Sequence, residues 1–147
     1  MATQGTLRLT VIEAILERDV GTADDLVMDP YVVIKNRQNA ARTCALEDAG
    51  KTPVWNETIE LQVASINDDV ALRVMDENVG ANCEIGNCSI KMAAMCVEGG
   101  LESWWTIAHD GVVAGRIHLM GEWLASGSDP VAFSASAMPG LQQTAQQ

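Results

Sequence analysis

Aromatic and basic residues are scarce in this 147-residue chain, which has four Trp, one Phe and one Tyr, and 9 Lys and Arg against 20 Asp and Glu. The formal charge of -11 repels phosphate backbones. With so few rings on which bases could stack, nucleic acid is excluded as a partner. Histidine is limited to His109 and His118, and neither has a nucleophile or an orienting acid at a recognisable spacing. No catalytic residue is therefore assigned, and an enzyme is not expected. Cys44, Cys83, Cys88 and Cys96 form no CxxC pair and have no neighbouring His. That pattern argues against zinc and for idle thiols in a reducing compartment, with no structural disulfide. No apolar run approaches the length of a membrane span, and "MATQGTLRLT" lacks both the apolar centre of a secretory signal and the Arg-rich character of a transit peptide. The expected location is intracellular, soluble or peripheral to a membrane. The Asn56-Glu57-Thr58 and Asn87-Cys88-Ser89 triplets match a glycosylation pattern but fall in or beside expected strands and are read as chance.

Hydrophobic residues make up 48% of the chain, enough for one domain with its own core. They alternate. Leu7, Leu9 and Val11 interleave with Arg8 and Thr10; Trp55, Ile59, Leu61 and Val63 share a face opposite Asn56, Thr58, Glu60 and Gln62; Val70, Leu72 and Val74 follow the same rule. Further strands are expected over Tyr31 to Ile34, Arg42 to Leu46, Ile85 to Lys91, Trp104 to Ile107 and Gly115 to Trp123. Only Met92 to Val97 invites a helical turn. About eight short strands at this spacing predict an all-β, eight-stranded antiparallel β-sandwich. Pro30 belongs at the start of a strand, which leaves Asp29 at the end of the preceding loop. Trp104 and Trp105 must point to opposite faces, one to the core and one outward. His118 lies between Ile117 and Leu119 and points to solvent or across to a neighbouring strand. The domain is expected over 5–124, with a C-terminal extension over 125–147. That extension is small, polar and punctuated by Pro and Gly, so it cannot bury enough apolar area to order itself and invites another protein chain.

Several stretches, in order, resemble a C2 domain: "GTLRLTVIEA", "MDPYVVI", "GKTPVWNETIELQV", "ALRVMDENVGANCEIGNCSI" and "WWTIAHDGVVAGRIHLMGEW". The resemblance covers Gly5 to Trp123 and is greatest to the short single-domain proteins of plants and protists. It implies a non-enzymatic binding module whose loops at one end hold calcium and meet phospholipid. The family's calcium site uses five acidic positions, two in the first loop and three in the third, because calcium needs six to eight oxygens and several charges. Asp29 matches the second position of the first loop and Asp76 the first of the third. Asn78 stands at the next position without a charge, and the last falls on Glu84. The remaining position falls near Ala23, with Asp24 or Asp25 displaced by one or two residues.

The resemblance thus implies at most weak calcium binding, at roughly the 10⁻⁴ to 10⁻³ M end of protein sites. Leu26, Val27 and Met28 would form the first loop's tip, where they could enter a bilayer or a protein groove. The family's basic patch would correspond to Lys35, Arg37, Arg42 and Lys51, which alone would hold an anionic membrane feebly. The leading expectation is a protein-interaction or accessory subunit of a larger assembly, engaged through its tail, with calcium weak or lost. The alternative is calcium-dependent recruitment to anionic phospholipid. If an empty site held Asp29 and Asp76 in mutual repulsion, replacing either by Asn would stabilise the domain slightly.

Overall fold

The computed structural model describes residues 4–22, 27–37 and 39–126. Asp24, Asp25, Leu26 and the 127–147 segment lie outside the described residues. The chain runs through β1 (Gly5–Leu16), β2 (Pro30–Lys35), β3 (Ala40–Arg42), β4 (Val54–Val63), β5 (Asp69–Asp76), β6 (Cys83–Lys91), the helical turn α1 (Met92–Met95), β7 (Leu101–His109) and β8 (Val112–Ala125). All neighbouring strands are antiparallel, in the order β3-β2-β5-β6-β7-β8-β1-β4.

The order divides into two layers of four. β6 and β7 share only one register pair, Asn87 with Ala108, whereas the other long neighbours pair over most of their lengths. The sheet turns a corner there, and its two halves face each other across one core. Leu7, Leu9, Leu61, Ile117 and Leu119 from one layer meet Val32, Ile34, Leu72, Val74 and Ile85 from the other, all fully buried. This is the alternation of the sequence converted into burial, the dominant stabilising term of a sandwich. Met92 and Met95 of α1 cap the core.

The open side is stitched by side chains. Asn36 Nδ2 donates to the Gln62 carbonyl at 3.0 Å, the Gln62 amide donates to Asn39 Oδ1 at 3.4 Å, and Trp55 Nε1 donates to the Pro30 carbonyl at 3.2 Å. Backbone groups of an edge strand are thereby partly satisfied without a further strand.

One expected strand is displaced. β3 occupies Ala40–Arg42, before the expected Arg42 to Leu46. At Thr43 only half of the ladder continues: its amide donates to the Val32 carbonyl at 2.9 Å, while its hydroxyl accepts the Val32 amide at 2.9 Å in place of a backbone carbonyl. Trp105 packs against the core while Trp104 opens outward, 39% exposed.

Antiparallel register brings the ends of β1, β3, β5 and β7 and the starts of β2, β4, β6 and β8 to one end of the sandwich. Residues 17–22 and 27–29 meet 43–53, 77–82 and 110–111 there.

Candidate functional site at the loop end

Asp29 and Asp76 are neighbours because Pro30 opens β2 directly opposite Asp76, the last residue of β5. The Asp29 amide donates to Asp76 Oδ1 at 2.8 Å, and the Glu77 amide donates to the Asp29 carbonyl at 3.1 Å. Asp29 Oδ1 in turn accepts the Asp48 amide at 2.8 Å, where Asp48 takes a positive φ of 55°. Asp76 is fully buried. The two carboxylates together tie the bases of three loops, 17–29, 43–53 and 77–82. Each acid is held in place by a hydrogen bond from a backbone amide to one of its carboxylate oxygens.

The other assigned residues diverge. The Asn78 amide donates to Asn82 Oδ1 at 3.0 Å within the 77–82 loop. Glu84 points elsewhere: β6 carries an extra residue, Ile85, at the Val74 to Met75 step, so Cys83 faces Asp76 and Glu84 faces Met75. Its carboxylate receives Arg73 Nε at 2.9 Å and Asn87 Nδ2 at 2.8 Å, with His109 Nδ1 at 3.1 Å. Burial opposes ionisation of Glu84, but the bonds from Asn87, Arg73 and His109 and the Arg73 charge outweigh it and hold the carboxyl below its ordinary range.

A pH dependence follows. A depressed carboxyl contributes stability above its unfolded value and loses it as pH falls through the folded value. Thermal unfolding in acid should therefore show a smaller fall in stability for Glu84→Gln than for the parent chain. An unchanged acid limb would count against this assignment.

Among the described residues, no three His, Cys, Asp or Glu side chains gather as a metal site. The Asp29 and Asp76 pair supplies two carboxylates of the six to eight oxygens calcium takes, and one oxygen of each already accepts an amide. Asp24 and Asp25, the other acids assigned to the first loop, lie outside the described residues.

Met28 is no tip residue. It is 1% exposed, its sulfur accepts the Val20 amide at 3.5 Å, and it belongs to the core, because Asp29 and Pro30 pin the chain inward at that point. Val27 is 43% exposed. Among the described residues, the most exposed apolar side chain of this end is Val79 in the 77–82 loop, joined by Val112 and Val113 beyond the Asp110-Gly111 turn. Asp110 and Gly111 both take positive φ, 50° and 80°. The Asp-Gly pair is the sequence signal of such a hairpin and could have located these valines.

The basic residues also separate. Lys35 and Arg42 lie on the outer face of the first layer, Arg42 over the Tyr31 ring at 3.9 Å and paired to Glu77 at 3.3 Å. Arg37 sits in the β2–β3 turn against Asp68 at 3.2 Å, and Lys51 lies in the 43–53 loop at the other end of the sandwich. Arg73 completes the row instead, since Val33 is flanked by Arg42 on one side and Arg73 on the other. Its position between Leu72 and Val74 marks it as outward by alternation alone. Cys44, Cys83, Cys88 and Cys96 are free, and burial raises the Cys88 and Cys96 thiols to about 11, which keeps them unreactive. No helix of the described residues is long and apolar enough to cross a membrane.

Comparison with known proteins places this geometry. Elicitor-responsive protein 3 of Oryza sativa subsp. japonica is 29% identical over 100 residues, 67% of this chain and 67% of that one. The solved C2 domain-containing protein from a putative elicitor-responsive gene is 25% identical, with a TM-score of 0.72 over 87% of this chain and 94% of that one. The calcium-bound C2A and C2B domains of Extended-Synaptotagmin 2 are 27% identical, with a TM-score of 0.70 over 84% of this chain and 46% of that one. The family model for the C2 domain matches residues 5–107, and the chain belongs to that family.

Proposed function

We propose that the protein is a non-enzymatic C2 binding module that engages a protein partner, as an accessory subunit, without calcium control. The observation that carries this reading is how the acids are used. Asp29 and Asp76 hold backbone amides at the loop bases, and Glu84 is committed to Arg73, Asn87 and His109 on another face. An acidic chain with apolar tips at Val27, Val79, Val112 and Val113 suits a basic, partly apolar protein surface better than an anionic bilayer. The 127–147 segment is the proposed second contact, because its small, polar composition offers little apolar area for the chain's own core.

A second reading, calcium-dependent recruitment to anionic phospholipid, is favoured by Val79 and Val27, exposed on the two loops whose bases Asp29 and Asp76 join. Thermal unfolding in millimolar calcium against chelator separates the two. A ligand of the native state at ten times its Kd adds about 1.4 kcal/mol of stability. No shift is expected. An upward shift abolished by Asp29→Asn would overturn the calcium-independent reading and establish the second.

A further inference from the structure

The outer face of the second layer carries a cluster that the binding role does not use. His118 stands on β8 with Glu13 opposite it on β1 and Trp104 opposite it on β7. Its Nδ1 lies 3.0 Å from Glu13 Oε2 and its Nε2 lies 2.7 Å from Glu102 Oε2. A neutral imidazole has one N–H and can donate to only one carboxylate; the imidazolium donates to both. The geometry therefore assigns the charged ring, and the side chain is only 13% exposed. The ring also stacks on Trp104, with centroids 4.6 Å apart and planes 14° apart, and Arg116 lies over the same indole at 5.1 Å.

We propose that the Glu13, His118 and Glu102 cluster is a proton-operated tie that fixes the side-chain layer joining β1, β8 and β7, and with it the exposed Trp104 ring. The charged groups facing His118 are Glu13 from β1, Glu102 from β7 and Arg116 from its own strand. Val54 of β4 completes the row beyond Glu13 and brings no charge. The next ionic set, Arg8 with Glu60 and Glu122, is internally paired at 3.0 and 3.6 Å. With His118 protonated, the group of Glu13, Glu102, Arg116 and His118 is neutral.

Loss of the proton leaves one carboxylate without its donor and the indole without its stacked cation. The β7–β8 ladder remains, while the side-chain layer loosens and turns acidic. The hydrogen bond to Glu13 raises the affinity of His118 for its proton, desolvation opposes it, and the bond and charge of Glu102 add to the rise. A raised value in the folded chain means the tie is complete below the ordinary imidazole value and is lost as pH climbs through the folded one. The surface thus has two states separated by one proton, which is the property of a histidine-based sensor.

The test is a titration of the full chain from mildly acidic to mildly alkaline pH. It reads the His118 ring resonances by NMR and tryptophan emission, with Trp104→Phe isolating the Trp104 contribution and His118→Gln assigning the histidine. An imidazolium stacked on indole quenches its emission, so a fluorescence step is expected at the His118 midpoint, above that of a free imidazole. Glu13→Gln and Glu102→Gln should each lower that midpoint while far-UV circular dichroism stays unchanged, and His118→Gln should abolish the step. An ordinary midpoint unmoved by both glutamine variants would overturn the proposal, and so would a Trp104 step that survives His118→Gln.

Discussion

Gly115→Ala should lower the stability of the domain by about 2 to 4 kcal/mol, the sum of a strained backbone and an overpacked contact. Gly115 adopts a φ of 147°, in the half of backbone space that side chains disfavour. It faces Leu16 of β1 on one side and Ile107 of β7 on the other. A Cβ there would collide with the Ile15 carbonyl oxygen and come within 2.9 Å of the Leu16 Cα, both of them backbone atoms that cannot swing aside. The same place governs the exit of β1 toward the loop end, because the Glu17 and Arg18 amides both donate to the Ala114 carbonyl, at 2.7 and 3.1 Å. Gly111 is the control. Its φ is 80° but a Cβ would meet nothing within 4 Å, so Gly111→Ala carries backbone strain alone, about 1 kcal/mol. Urea unfolding should show a lower midpoint for Gly115→Ala at an unchanged slope, with Gly111→Ala between it and the parent. Equal midpoints for the two variants would show that the steric contact plays no part.

The sandwich is legible in the sequence wherever a strand keeps strict alternation. The first half of β1, with β4 and β5, announces its inward face through Leu7 and Leu9, Leu61 and Val63, and Leu72 and Val74, and the helical turn falls within the one stretch that invited it. Legibility ends where one residue shifts the phase. The extra Ile85 in β6 exchanges the places of Cys83 and Glu84 relative to Asp76, and spacing along the chain carries no mark of it. Thr43 ends β3 through a side-chain hydroxyl that imitates a backbone group, which propensity alone does not distinguish from a strand residue. Met28 illustrates the opposite failure. It reads as a tip residue beside Val27, but alternation about the fixed start of β2 turns it inward. The outward row of Arg42 and Arg73 joins residues 31 apart in sequence that only strand order brings together. Local pattern specifies each face; register between strands decides which acids and bases meet.

Asp76→Ala is the substitution that most directly separates a structural acid from a metal ligand. The side chain is fully buried and its Oδ1 accepts the Asp29 amide at 2.8 Å. Truncation removes a charge-assisted hydrogen bond and leaves that amide without its acceptor at the junction of three loops. The expected loss is about 2 to 3 kcal/mol, read in calcium-free buffer. Asp76→Asn keeps a carbonyl oxygen in the same place and should cost much less, because the amide retains an acceptor. Repulsion between two bare carboxylates would instead make the Asn variant more stable than the parent, as the sequence alone suggested. The backbone amides of Asp29 and Asp48 give each carboxylate a donor of its own, which offsets that repulsion and makes the opposite order the expected result. If Asp76→Ala were neutral in chelator and destabilised the chain only relative to a calcium-loaded parent, the carboxylate would be a ligand, and the loop end would be governed by the ion. If the loss is the same with and without calcium, Asp76 belongs to the architecture of the loops, and what they dock onto is selected by their apolar tips and surrounding charge.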